Sequence, residues 1–198
     1  MEQERFIIGI TGGSGCGKTT LLRCIGEKGG LVLDCDEIYH QLLQTDENLL
    51  LSIAHRFPGV VENGALQRKK LGAIVFADEK ALLDLNAITH TAVKEEVLQL
   101  LKECPGLAAI DAIGLFEGGL APLCDITVAV TAPREDRVAR LMARDGITRE
   151  YAESRLDAQK SDEWFRQQCD HVLENNGKLD AFATNCLAFL RKHCIMEP

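Results

Sequence analysis

Phe6-Ile7-Ile8-Gly9-Ile10-Thr11-Gly12-Gly13-Ser14-Gly15-Cys16-Gly17-Lys18-Thr19-Thr20 decides how the rest of the chain is read. Its first five residues are a short apolar run rich in β-branched side chains, the pattern of a buried strand. Gly12 through Thr19 then satisfies G-x-x-x-x-G-K-[ST] in full. Thr19 to Lys28 has helical spacing, with Leu21, Leu22 and Ile25 on one face, and Gly29-Gly30 ends it. Strand, glycine loop and helix in that order cradle a polyphosphate. The glycines let backbone approach the anion, and loop amides and the positive helix end point at it. Lys18 reaches the β/γ-phosphates, and the Thr19 hydroxyl ligates a metal ion. Gly13, Ser14, Gly15, Cys16, Gly17, Lys18, Thr19 and Thr20 are therefore the expected contacts with a nucleoside triphosphate.

Outward from the loop, Leu31-Val32-Leu33-Asp34, Leu107-Ala108-Ala109-Ile110-Asp111, Ile126-Thr127-Val128-Ala129-Val130 and His171-Val172-Leu173-Glu174 read as four more strands. Helical patterns separate them, which predicts an α/β fold with a five-stranded parallel sheet covered on both faces. About 70 residues, 35 to 105, lie between the second and third strands. That is too long for a simple crossover, so a helical lobe is expected there, with helices over Glu37 to Arg56, Gln67 to Phe76 and Asp78 to Glu103. Pro133 to Asp145 and Arg149 to Lys160 read as a helix pair within a lid over 133–165, and Lys178 to Lys192 as a closing helix. The whole of 1–198 reads as one domain.

Composition narrows the function. The chain has 22 Lys and Arg against 30 Asp and Glu, a net charge of −8. That balance disfavours sequence-independent binding to nucleic acid or to an anionic membrane, but not a small anion in a local basic pocket. No apolar run approaches the ~18–20 residues of a membrane span. The start, Met1-Glu2-Gln3-Glu4-Arg5, lacks a signal-peptide pattern, so the cytoplasm is the expected location. Eight cysteines stand without a Cys-x-x-Cys, and Cys169 with His171 lacks a second pair, so reduced thiols are expected. Cys16 and Cys35 flank the chemistry-bearing motifs, where alkylation would interfere without either thiol being catalytic.

Asp111-Ala112-Ile113-Gly114 fits the Asp-x-x-Gly of a GTPase, but the guanine-reading Asn-Lys-x-Asp is missing. A kinase has firmer support. Leu33-Asp34-Cys35-Asp36-Glu37 begins where the second strand ends, on the ligand side of a parallel sheet. In extended geometry Asp34 and Asp36 share a side. A carboxylate there accepts a proton from an attacking hydroxyl or orients it; the alternative is that either residue caps the next helix. Arg137, Arg140 and Arg144 recur at i, i+3 and i+7, which aligns three guanidinium groups on one helix face. Such a row suits a lid closing over ATP phosphates, or is a solvated basic face. Arg155 is a further candidate.

The succession of motifs resembles the dephospho-CoA kinase family over nearly the whole chain. The resemblance is carried by Ile10 through Thr20, by Val32-Leu33-Asp34-Cys35-Asp36-Glu37-Ile38, and by Leu66-Gln67-Arg68, Val75-Phe76 and Ile88-Thr89-His90. Leu115-Phe116-Glu117, Arg140-Leu141-Met142-Ala143-Arg144-Asp145, Gln159 and Glu174-Asn175-Asn176-Gly177 complete it. It implies a nucleotide-kinase-like three-layer fold with a five-stranded core, a helical lobe for the acceptor and a helical lid. It implies transfer of the ATP γ-phosphate, with Mg²⁺, to the ribose 3′-hydroxyl of dephospho-CoA. By that likeness Asp34, Lys18 and Arg140 are catalytic, Arg144 and Asn175 join the ATP site, and Thr19 meets the metal. Asp36, Arg68, His90 and Glu117 face the acceptor. Two positions depart from the family's pattern: Ile113-Gly114 stands where Pro-Leu is usual, and Thr91 where proline follows the histidine. Each change restores an N–H and frees φ, which bears on acceptor binding. The other readings are a kinase for another nucleoside or small metabolite, and a nucleotide-dependent regulatory switch. Oligomeric state is not encoded in any motif.

Overall fold

The computed structural model describes residues 5–177 and 179–193. Lys178, the expected first residue of the closing helix, and Cys194 lie outside them. Five strands form one sheet in the order β2-β5-β1-β6-β7, where β1 is Phe6–Thr11, β2 Leu31–Asp34, β5 Leu107–Asp111, β6 Ile126–Thr131 and β7 His171–Glu174. β1 runs parallel to β5 and β6, and β6 parallel to β7. This is the expected α/β architecture, and it brings strand ends that are distant in sequence to one edge. Ile10 pairs with Asp111 and Thr11 with Ala129, so the phosphate loop leaves the sheet between two neighbours. A parallel sheet binds ligands at this carboxyl edge.

The chain divides into two compact units, residues 1–33, 104–115 and 120–198 in one, and 34–103 with 116–119 in the other. In the first, α1 (Lys18–Glu27) and α9 (Leu179–His193) pack on one sheet face. Ile8 and Ile10 alternate onto that face and are fully buried with Leu21, Ile25, Phe182 and Leu190. Such a face, emptied of water, supplies about 25 cal/mol per Å² of apolar surface. α6 (Arg134–Asp145) and α7 (Arg149–Asp157) form their own small core of Val138, Leu141, Ala152 and Leu156. Gly146, at φ 64, ends α6 in the left-handed conformation that glycine takes without penalty. A short helix, α8 (Asp162–Gln168), follows and was not expected from the sequence.

The second unit is helical: α2 (Cys35–Thr45), α3 (Glu47–Arg56), α4 (Arg68–Val75) and α5 (Glu79–Lys102). Asp34, Asp46 and Asp78 each accept amide hydrogens at the N-termini of α2, α3 and α5. A cap of this kind is worth about 1 kcal/mol. Between α3 and α4 a two-residue hairpin, β3 (Val61–Glu62) with β4 (Ala65–Leu66), turns through Asn63 and Gly64 at φ 51 and 74. α5 runs unbroken past Thr91, whose hydroxyl bonds back to the Ala87 carbonyl at 2.8 Å. A proline there would have removed an intrahelical N–H.

Candidate active site

The loop leaves β1 at Thr11, and α1 starts at Lys18 after Gly17, which sits at φ 100. The first amides of α1 have no intrahelical acceptor and form the positive end of the helix. Lys18 Nζ donates to the Gly12 carbonyl at 3.1 Å and lies 3.9 Å from the Asp111 carboxylate. Both side chains are only 14% exposed, so this charge pair sits in a partly dry setting. Asp111 is the last residue of β5, beside the loop. Sequence reading took it as the end of a strand and the start of an Asp-x-x-Gly match, not as a partner of the loop. The missed signal was an acid closing an otherwise apolar strand that neighbours the loop strand. Thr19 is exposed on the first turn of α1, and Thr20 is buried.

Arg137, Arg140 and Arg144 of α6 differ in their surroundings. Arg137 is 7% exposed. Its Nε donates to the Ser14 carbonyl at 3.0 Å, its Nη2 to Gln159 Oε1 at 3.1 Å and its Nη1 to Asp162 at 3.2 Å. Arg140 Nη1 donates to the Gly15 carbonyl at 3.0 Å and, more weakly, to that of Cys16 at 3.4 Å. Arg144 is exposed and pairs with Asp145, which Arg155 also holds. These two guanidinium groups, Arg144 first, pull the Asp145 carboxyl down to about 2. Asn175 is 4% exposed and anchored by its own N–H to the Thr131 carbonyl. Its Nδ2 donates to the Cys16 carbonyl at 2.9 Å, while its Oδ1 is buried with no hydrogen-bond partner among the described residues.

The loop glycines answer to these neighbours as well as to an anion. A Cβ on Gly17 would lie 2.4 Å from Asn175 Nδ2. One on Gly13 would lie 2.0 Å from Arg137 Nη2. The Cys16 thiol is buried, and burial raises its pKa although Lys18 and Arg137 pull the other way. Cys35 is buried too. Neither thiol is presented for the alkylation that their sequence positions invited.

The acceptor-side candidates all fall in the helical unit. Asp34 ends β2, and its Oδ1 accepts from the Asp36 and Glu37 amides at 2.9 and 3.1 Å. The capping alternative is therefore realised for Asp34, and it uses only one oxygen; Oδ2 is not part of the cap. The expected extended Asp34-Cys35-Asp36 geometry is not, because α2 already begins at Cys35. The cap pulls the chain into helix, and Asp36 sits exposed in the first turn. Arg68 opens α4 and is exposed, His90 is half-buried on α5, and Glu117 is exposed after β5. Burial raises the Tyr39 pKa against the opposing charge of Arg68, which places this phenol within electrostatic reach of that arginine. Sequence reading did not single out Tyr39. Ile113 is exposed, and a Cβ at Gly114 would meet open space.

Residues 6–181 match the family described as Dephospho-CoA kinase (CoaE). The dephospho-CoA kinase of Deinococcus radiodurans is 39% identical over 189 residues, covering 93% of this chain and 91% of that one. That of Latilactobacillus sakei is 31% identical over 194 residues, covering 96% of each. The crystal structure of TT1252 from Thermus thermophilus superposes with a TM-score of 0.80 at 35% identity, covering 96% of this chain and 98% of that one.

Proposed function

The chain belongs to the dephospho-CoA kinase family, and from that membership we infer that it transfers the γ-phosphate of ATP to dephospho-CoA, giving coenzyme A. The bond between the γ-phosphorus and the β-bridging oxygen breaks. A new bond forms to the ribose 3′-oxygen, whose proton passes to a nearby base. Little covalent chemistry is asked of the protein; positioning and charge neutralisation carry the rate.

In this reading Lys18 and the loop from Gly13 to Thr20 cradle the β- and γ-phosphates. Arg140, with Arg144 after it, offsets charge on the moving phosphoryl group. ATP is used with a divalent cation, and Mg²⁺ is the cation proposed. The Thr19 hydroxyl and Asp111 carboxylate fit it, being hard oxygen donors on the first turn of α1 and at the end of β5. When bound, such a cation draws charge from the phosphate oxygens. Asp34 orients the 3′-hydroxyl or takes its proton through Oδ2, its Oδ1 being spent on the α2 cap. Asp36, Arg68, His90 and Glu117 meet the acceptor, 35–105 serves as the acceptor lobe, and 133–165 serves as the lid. Asn175 offers Oδ1 to the nucleotide. A cytoplasmic location belongs to the same proposal. It is supported by seven free cysteines among the described residues, a pattern of reducing compartments. No helix among the described residues is long and apolar enough to cross a membrane.

The observation that carries the mechanism is the complete phosphate loop, its lysine already paired with Asp111 at the sheet edge. The test is to supply ATP, Mg²⁺ and dephospho-CoA and locate the new phosphate by NMR. Phosphate on the 3′-oxygen is expected. Turnover with another alcohol but not with dephospho-CoA would move the assignment to a different acceptor.

A further inference from the structure

Resting on the reading that the loop holds ATP, we propose that Gln159 is a positioning residue for phosphoryl transfer, fixing the Ser14 peptide of the loop while Arg137 fixes Gln159. Gln159 lies in the connector between the end of α7 at Asp157 and the start of α8 at Asp162. Its Oε1 accepts the Ser14 N–H at 2.9 Å, and its Nε2 donates to the Ser14 hydroxyl at 2.7 Å. Arg137 completes the grip by donating to the Ser14 carbonyl at 3.0 Å and to Gln159 Oε1 at 3.1 Å. Every polar group of Ser14, its N–H, C=O and hydroxyl, is thus tied to one of two side chains from outside the loop.

An amide is the one side chain suited to this geometry without charge. It accepts two N–H donors at one oxygen and donates from its nitrogen, where a carboxylate would set a negative charge beside a phosphate site. The Ser14 N–H is committed to Gln159, so the amides left to face the anion are those further along the loop. Gly13 supplies an independent sign of the same contact. Its φ is not positive, so no backbone strain demands glycine. A Cβ there would fall 2.0 Å from Arg137 Nη2 and 2.9 Å from Gln159 Oε1. Glycine at 13 makes room for the grip on Ser14.

The grip also limits what can close. Arg137 is held by Ser14, Gln159 and Asp162, so the N-terminal half of α6 moves with the loop. Arg140 ties the next turn to the Gly15 carbonyl, and Arg144, beyond it, bonds Asp145 on its own helix.

The test measures initial rates for both substrates, with ATP affinity by calorimetry in parallel. Gln159→Met keeps the volume and removes the polar contacts. It should lower kcat/KM for ATP by about 10- to 100-fold, the scale of a misplaced reacting group, with KM for dephospho-CoA within about twofold. Ser14→Ala removes one leg only and should cost a few-fold (about 2- to 5-fold by the same reasoning). It also keeps the test open if the first variant folds poorly. In the double variant Ser14→Ala should add nothing, because its partner is gone. Variants that bind ATP and turn over as the wild type does, or single effects that multiply in the double, overturn the role of Gln159. A wild type that binds ATP, loses that affinity in Gln159→Met, yet never phosphorylates dephospho-CoA counts against the acceptor alone and leaves the positioning role standing.

Discussion

The residues proposed to hold the phosphates and those proposed to meet the acceptor lie in different compact units and are held differently. On the phosphate side, loop carbonyls and amides are tied to Arg137, Arg140, Gln159 and Asn175, which arrive from α6, the connector before α8 and the end of β7. On the acceptor side the fixed point is one carboxylate, Asp34, locked by its helix cap, while Arg68, Glu117 and Asp36 stand exposed on helices and a turn. The proposed roles account for the difference. A migrating phosphoryl group needs donors that are already in place when charge develops, because reorganising them would consume the gain. An acceptor with a long flexible arm needs only its hydroxyl held tightly.

The contrast can be broken at its strongest point first. Lys18→Ala should lower kcat/KM by about 10³-fold or more, since it removes a cation from the transferring group. Coupled-assay rates check this, and a loss under tenfold would mean that the loop amides suffice. Asp34 allows cap and chemistry to be separated. Asn caps as well as Asp, so Asp34→Asn should keep the melting temperature while kcat falls by about 10²- to 10⁴-fold, the range of general-base losses. Asp34→Ala should lose the same activity and, in addition, about 1 kcal/mol of stability by urea unfolding. Equal stabilities for the two variants would remove the cap from the account. Arg140→Ala comes next, with kcat down about 10- to 100-fold and KM for dephospho-CoA unchanged. A loss confined to that KM would move Arg140 to the acceptor side.

Much of the phosphate side was legible beforehand, because a glycine loop between an apolar strand and a helix is a local pattern with a local cause. The end of β2 was legible for the same reason. What stayed hidden depended on tertiary neighbours. Spacing put Arg137, Arg140 and Arg144 on one face but carries no record of what that face meets. One is buried on Ser14, one reaches the Gly15 carbonyl and one lies at the surface. Asp111 acquires its meaning only when β5 pairs with β1. The hairpin around Asn63-Gly64 has two residues per strand, too few to show alternation, although Asn-Gly is itself a strong turn signal. α8 spans seven residues, under two turns, so no periodicity could build. The extended reading of Asp34 to Asp36 failed because one cap bond redirects the chain within a single residue.

The smallest effect expected lies at the far end of α6 and tests how that end is fastened. Asp145 accepts from Arg144 Nε at 2.6 Å and from Arg155 Nη1 at 2.6 Å, linking α6 to α7. Its carboxyl, held near 2 against an ordinary 3.8, is ionised more readily in the folded chain than in the unfolded one. A depressed carboxyl of this kind stabilises above its unfolded pKa, and the contribution drains away as pH falls through the folded value. The Asp145 side chain is 23% exposed and its partner Arg144 62%, so the pair is a surface pair and its worth is small. Asp145→Asn should therefore lower Tm by no more than about 2 °C at neutral pH. The gap from wild type should hold steady from neutrality down to about pH 5 and narrow between about pH 4 and 2, as scanning calorimetry would show. A gap that widened on acidification would reverse the sign and place the charge on the wrong partner. If catalysis needs Arg144 released from Asp145 to reach a phosphate, the same variant should raise kcat slightly or leave it unchanged, whereas a several-fold fall would show that the pair holds the helix in its working position.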